Sequence, residues 1–228
     1  MRRPTVETGG ATIVRYARGM SDAWLGFGLL LLVAYLIGSI PTGVLVAKLT
    51  GGVDPRQVGS GRTGGTNALR AMGWTRGVAV ALFDGCKGAV PVLIAMYFQA
   101  PDVVLALVGV AAVVGAWRSV FLGFHGGRGV ATGIGAMFAI APLVCILAAP
   151  VFLIVIGLSR YVSLGSLLGS AAAAVIMLGL VVAGIIPPAL LVFGIAGAVI
   201  VWLAHADNID RLIHGQERKL SFDRGQGS

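Results

Sequence analysis

Residues 54–70 read DPRQVGSGRTGGTNALR, a polar stretch set between apolar runs at 23–49 and 75–98. A helix needs about 20 apolar residues to cross hydrocarbon, so the stretch reads as a loop between two membrane spans. Within it Gly59, Gly61, Gly64 and Gly65 alternate with Ser60, Thr63, Thr66 and Asn67, and Gly73 lies just beyond. Glycine lets the backbone curl so that successive N–H groups converge, which is how peptide backbone holds an oxyanion. Arg56, Arg62 and Arg70 add fixed charge and forked donors that match phosphate oxygens. The stretch therefore reads as an anion-binding loop. A plain basic connector on the cytoplasmic face is the other reading of the same composition.

The rest of the chain supports a membrane setting. Of 228 residues, 57% are hydrophobic and 11% charged, with a mean hydropathy of +0.93, which excludes a soluble domain. The 35 glycines suit helices that approach closely in lipid. A net charge of +8 could point to nucleic acid. The basic residues fall in short loops between apolar runs, however, so they read as topology determinants and anion sites, with no nucleic-acid partner. Cys86 and Cys145 lie inside apolar segments and read as membrane-buried thiols.

Further apolar runs fall at 103–122, 129–140, 142–158, 163–182 and 187–205. The 129–158 region could be one helix or two; Gly133, Gly135, Pro142 and Pro150 favour a break. Charge parity then decides. With seven spans, the basic stretches at 56–76, 118–128, Arg160 and 211–224 share one side; with six, the last two cross over. Loop arginine and lysine mark the cytoplasmic face. The expected fold is an all-α polytopic membrane protein with seven transmembrane helices, N-terminus outside and C-terminus cytoplasmic. Its parts are a polar lead at 1–22, a seven-helix domain at 23–210 and a basic cytoplasmic tail at 211–228. Arg2, Arg3, Arg15 and Arg18 then lie outside, against the rule, and translation from Met20 would remove that conflict.

Three more pieces could carry chemistry. Asp84 and Lys87, in FDGCKGAVPV, share a helical face inside an apolar run, either as a structural ion pair or with Asp84 positioning Lys87 for a substrate anion. In FHGGRGVATGIG, from Phe124, the residues Gly126, Gly127, Arg128 and Gly129 precede a helix whose N-terminal N–H groups form a phosphate seat. Two such loops suggest two phosphates in one site. The chain end, HADNIDRLIHGQERKLSFDRG, sets His205, Asn208, Arg211, Leu212 and Gly215 near helical spacing, and Glu217, among Arg211, Arg218 and Lys219, reads as an ion-pair anchor. The spacing is not a Walker motif, no G-x-S-x-G elbow occurs, and no metal-ligand cluster or cofactor is expected.

Together and in this order, these pieces resemble the bacterial acyl-phosphate-dependent glycerol-3-phosphate acyltransferases, the PlsY family. The matching residues are Gly38-Ser39-Ile40-Pro41, Asp54-Pro55-Arg56, Gly59-Ser60-Gly61, Gly64, Thr66-Asn67, Arg70, Asp84, Lys87-Gly88, Gly126 to Thr132, Ser163-Leu164-Gly165, His205, Asn208-Ile209, Arg211-Leu212 and Glu217. The chain diverges at Arg62, where the family usually has asparagine, and at Ala116, where it usually has histidine. Arg118 stands at a commonly aromatic position and Gly65 at a usual alanine. The resemblance implies acyl transfer from acyl phosphate to the sn-1 hydroxyl of glycerol 3-phosphate, giving lysophosphatidic acid and phosphate for phospholipid synthesis. It implies a monomer in the bacterial inner membrane, bathed in lipid, with the site facing the cytoplasm.

On this resemblance Ser60, Arg70, His205 and Asn208 are the expected catalytic residues, with Asp84 and Glu217 structural. Arg56, Gly61, Gly64, Thr66, Asn67, Lys87, Gly126, Gly127, Arg128, Gly129 and Thr132 are expected at substrate phosphate. A small organic-anion transporter, or a family member with altered catalysis that binds phospholipid precursors, are the competing expectations. Transport would predict internal repeats, and none is evident.

Overall fold

The computed structural model describes residues 9–220, with side-chain surroundings from residue 24 onward. The expected outer placement of the N-terminus and the Met20 start concern a lead whose first eight residues lie outside the described part. Among the described residues ten α-helices follow one another: α1 (Gly9–Ser39), α2 (Thr42–Leu49), α3 (Gly65–Met72), α4 (Trp74–Tyr97), α5 (Asp102–Trp117), α6 (Val130–Ile140), α7 (Pro142–Ser159), α8 (Val162–Val182), α9 (Leu191–Ala204) and α10 (Ala206–Ile213). The helix that opens the chain thus starts at Gly9, inside the stretch expected as a polar lead.

Proline and polar residues set the breaks. Pro41 interrupts the first span, and α1 and α2 meet at a 45° bend. The α9 and α10 axes turn by 60° at His205. Pro142 stands at the first position of α7 and ends α6 at Ile140, so the 129–158 region is two helices. Pro150 breaks nothing: it sits inside α7, as Pro91 does inside α4. Gly133 and Gly135 likewise lie within α6.

Among the described residues, four helical segments are long and apolar enough to cross a bilayer, and up to six if each bent pair counts as one crossing. The remaining apolar helix, α6, has 11 residues and rises only about 16 Å.

Helix α5 is the hub, packed against α1, α4, α6 and α9. Its buried Val104, Val108, Ala112 and Val113 form the centre of the core with Ala34, Val92, Ala136 and Phe193. Two crossings depend on glycine. A Cβ on Gly38 would overlap the Ala112 carbonyl, and one on Gly88 would overlap the Thr132 carbonyl oxygen. Between helices in lipid, such backbone approach replaces the hydrophobic drive that water supplies to soluble bundles. The α4–α6 crossing matters to function because α6 opens with the second glycine loop. Helix α7 presents Leu153, Ile154 and Leu158 outward, as a lipid-facing helix should.

Candidate active site

The first glycine loop is held open by its own asparagine. Asn67 is 3% exposed, and its amide donates to the carbonyls of Pro55 (2.6 Å), Val58 (3.0 Å) and Arg62 (2.9 Å). Its carbonyl accepts from the Ser60 N–H at 3.0 Å. Every polar atom of this side chain is therefore committed to the loop backbone. Expected at substrate phosphate, Asn67 lines the polar pocket and is also the loop's internal brace. Asn67→Ala should leave several buried groups unpaired and lower stability by about 2 kcal/mol or more. Thermal unfolding in detergent checks this, and an unchanged melting temperature would show that the loop holds itself.

Two other expected phosphate contacts in this loop turn away. Asp54 caps the short 3-10 turn at 55–57, and its carboxylate takes the Arg56 side chain at 2.6 Å. The paired Arg56 guanidinium holds the Asp54 carboxyl below its usual range. Arg56 is thus a loop clasp with an exposed side chain. Gly61, at φ +67°, lets the chain turn and is exposed.

What remains of the loop faces inward. Ser60, Gly64, Thr66 and Arg70 line a polar pocket of about 320 Å³, together with Gly127, Arg128, Gly129, Thr132, His205 and Asn208. The two glycine loops touch: a Cβ on Gly127 would lie 3.5 Å from the Gly64 nitrogen and 3.6 Å from Thr63 Oγ1. Helices α3 and α6 both begin at this contact, so two positive helix ends share one pocket. Gly126 stands behind the second loop, with its N–H on the Trp117 carbonyl at 3.0 Å, and does not line the pocket. Gly127 N–H is likewise tied, to the Ala116 carbonyl at 2.9 Å.

Buried Asp84 and Lys87 form the floor. They pair at 2.7 Å, and Asp84 also accepts from the Thr42 hydroxyl. Lys87 Nζ donates to the Ile40 carbonyl at 2.8 Å, beside the Pro41 break. The pair thus ties the α1–α2 bend to α4 while Lys87 still lines the pocket.

The chain end forms the opposite wall. Arg128 donates to Asp207 at 2.9 Å, and Arg211 bridges Asp207 (3.3 Å) and Glu217 (2.9 Å). Burial lowers the pKa of Arg128 against the pull of Asp207; for Asp207, burial raises the pKa but Arg128 and Arg211 bring it below the usual range. Glu217 accepts the Asn208 amide N–H at 2.8 Å. Because a carboxylate only accepts, Asn208 must turn its NH₂ to Glu217 and its carbonyl oxygen elsewhere. His205 is fixed in the same way. Its Nδ1 lies 2.7 Å from the Val201 carbonyl, so Nδ1 carries the proton and Nε2 is an acceptor.

Among the described residues, the buried side-chain atoms with no partner include Ser60 Oγ, Arg128 Nε, Ser163 Oγ and Asn208 Oδ1, and all four residues line this pocket. Buried polar atoms normally find partners, so a concentration of orphans in one pocket marks a ligand site. Ser163 and Ser166, at the start of α8, are lining residues that the sequence reading left without a role. Their signal was the serine pair immediately after the Arg160 loop.

The polar pocket continues into an apolar groove of about 360 Å³ between α6, α7, α8 and α9. Val130, Ile134, Phe152 and Ser166 line both. An anion-binding head joined to a hydrocarbon-lined groove fits an amphiphile with a phosphorylated end.

The sequence model of a family described as glycerol-3-phosphate acyltransferase matches residues 28–215. A protein of that name from Thermus thermophilus is 47% identical over 195 residues, covering 83% of this chain and 93% of its own. Another, from Chlorobaculum tepidum, is 41% identical over 231 residues, covering 88% and 99%. The crystal structure of PlsY (YgiH), an integral membrane glycerol 3-phosphate acyltransferase, in its glycerol 3-phosphate form superposes with a TM-score of 0.79 at 41% identity, over 86% of this chain and 96% of that one. Its lysophosphatidic acid form gives 0.78 at 40%.

Proposed function

Because the chain belongs to the glycerol-3-phosphate acyltransferase family, we propose that it moves an acyl chain from acyl phosphate to the sn-1 hydroxyl of glycerol 3-phosphate. The products are lysophosphatidic acid and inorganic phosphate. The protein is a multi-pass bacterial membrane enzyme of phospholipid synthesis. The observation that carries the donor assignment is the junction of the polar pocket with the apolar groove at Val130 and Ile134. Both residues belong to α6, whose N-terminus is the second glycine loop. A donor with its chain along α6 brings its phosphate to Arg128 and Gly129.

The acceptor then takes the wall built by the chain end. Ser60 and Arg70 offer donors to its phosphate, while His205 Nε2 and Asn208 Oδ1 are acceptors suited to glycerol hydroxyls. Acyl phosphate is a mixed anhydride, so direct attack by the hydroxyl on the carbonyl carbon expels phosphate without a covalent enzyme intermediate. The attacking proton passes to His205 Nε2 or to the departing phosphate, whose second pKa lies near neutrality. The protein's task is to hold two anions side by side and to stabilise charge on the carbonyl oxygen, through the N–H groups at the α3 and α6 ends. The chemistry as written calls for no cofactor. Glu217 and Asp84 position Asn208 and Lys87.

Topology follows the same logic. Arg128–Asp207, Arg70–Arg218 and Arg160–Leu220 contacts link all four basic stretches at one end of the bundle. Helices α6 and α7 must therefore leave that end and return to it, which supports counting α6 as a crossing and the total as seven. Basic residues mark the cytoplasmic face, so the pocket opens to the cytosol of the inner membrane and the N-terminus lies outside. The division into 1–22, 23–210 and 211–228 belongs to the same proposal, although α1 and α10 run through its two bounds, and the tail folds back as far as Leu220 on the α7–α8 turn. Action as a monomer in lipid is part of the same proposal.

Purified protein in lipid, given acyl phosphate and glycerol 3-phosphate, should release phosphate only when both are present. Release without acceptor would indicate an acyl phosphatase, and none at all would favour binding or transport. The groove adds a specificity prediction. Ala173 lines it one helical stretch beyond Ser166, about 10 Å along α8. Ala173→Phe should lower kcat/KM for long-chain donors roughly tenfold and spare short-chain ones. Equal loss for both chain lengths would place the acyl chain elsewhere.

A further inference from the structure

The charges around the polar pocket do not balance, and the surplus has an address. Its lining cations are Arg62, Arg70, Lys87 and Arg128, and its lining carboxylates are Asp84 and Glu217. Asp84 is paired with Lys87, Glu217 with Arg211, and Asp207 with both Arg128 and Arg211. Among the described residues, no carboxylate lies within ion-pair distance of Arg62 or Arg70. Arg70 is accounted for by its placement beside Ser60 and the chain end, where its side chain reaches the Arg218 carbonyl. Arg62 is not used by the mechanism above.

Arg62 is nonetheless held in place. Asn67 pins its carbonyl at 2.9 Å, and the next residue, Thr63, is the one that meets Gly127 of the second loop. Its charge is felt across the junction: it adds to the lowering of the Arg128 pKa and helps hold Asp207 ionised. Two guanidinium groups lining one pocket repel unless an anion lies between them. Ala116 lines the same pocket with only a methyl group, and so leaves room there for a long side chain.

Resting on the acyltransferase reading, we propose that Arg62 is a binding residue for the phosphate of the acyl donor, closing on it from the first loop while Arg128 and the α6 end hold it from the second. The donor phosphate is thereby clamped between loops that are separate in sequence. Arg62 contributes to donor affinity and to stabilising the phosphate as it leaves; the glycerol 3-phosphate wall is unaffected.

Steady-state kinetics of Arg62→Gln and Arg62→Lys in lipid test this, with inorganic phosphate as a turnover-independent probe. Loss of one charge-assisted contact predicts a KM for acyl phosphate raised roughly tenfold to a hundredfold in Arg62→Gln, with partial recovery in Arg62→Lys. The KM for glycerol 3-phosphate should stay within about twofold, and inorganic phosphate should compete less well against the donor. An unchanged donor KM, or a rise confined to glycerol 3-phosphate, would overturn the proposal. Should the wild-type protein show no transfer at all, the acyltransferase reading fails separately. Arg62 is then judged by the melting-temperature rise that inorganic phosphate causes: lost in Arg62→Gln if the residue binds phosphate, and retained if it does not.

Discussion

Arg70→Ala is expected to lower kcat/KM by about a hundredfold to a thousandfold, the usual cost of deleting one preorganised charge donor from a water-poor site. Arg70 lies on the last turn of α3, half-buried, and burial lowers its pKa. Arg218 and Arg211 add to that lowering, and Glu217 opposes it. A cation kept among other cations is tolerable when an anion arrives to satisfy it. The loss should fall mainly on glycerol 3-phosphate, and the melting temperature should change little because the side chain's one described hydrogen bond, to the Arg218 carbonyl, is long at 3.4 Å. Ser60→Ala should follow the same pattern with a smaller loss. Wild-type rates in either variant would remove the first loop from the reaction.

The second large effect is structural. Gly88→Val should prevent stable folding, or lower stability by about 3 kcal/mol or more, because even its Cβ would collide with the Thr132 carbonyl and lie 2.8 Å from the Ala136 nitrogen. Those are backbone atoms of α6 and cannot rotate away. Gly135 makes the reciprocal approach to the Gly85 carbonyl, so both helices would have to part. Separation would carry the second glycine loop off the first. Yield of folded, monodisperse protein and its unfolding temperature measure this. Gly26→Val, at a glycine with nothing within 4 Å of an added Cβ, should be neutral by the same measures. A fully stable Gly88→Val protein would mean that the α4–α6 crossing is looser than described.

Much of this arrangement was legible in the chain because charge and glycine are conspicuous against an apolar background. The loops at 54–70 and 124–132, the Asp84–Lys87 pair and the polar chain end all meet around one pocket. The division of labour inside the first loop was not legible. Asn67 and Arg56 look like ligand contacts in sequence, yet one braces the backbone and the other clasps Asp54, and only three-dimensional pairing separates such roles. Gly61 and Gly126 are glycines needed for turning and close packing, chemically identical in sequence to those that face the pocket.

Where the apolar groove lies could not be read. Its lining residues, such as Met137, Ala173 and Gly197, are ordinary membrane-helix residues whose only distinction is the space left between them. The proline signals also needed context. Pro142 ends α6 at a place where the chain reverses, whereas Pro150 is absorbed on the lipid side of a continuous α7.

The central claim is that two phosphorylated reactants sit side by side where the glycine loops touch. A structure of the protein with glycerol 3-phosphate and a non-transferable acyl phosphonate bound together tests it most directly. The expected result is both phosphorus atoms in the one pocket, the acceptor's against Ser60 and Arg70 and the donor's against Arg128 and the α6 end, with the chain lying along Ile134 and Met137. Either ligand bound outside that pocket, or the two unable to bind at once, would contradict it.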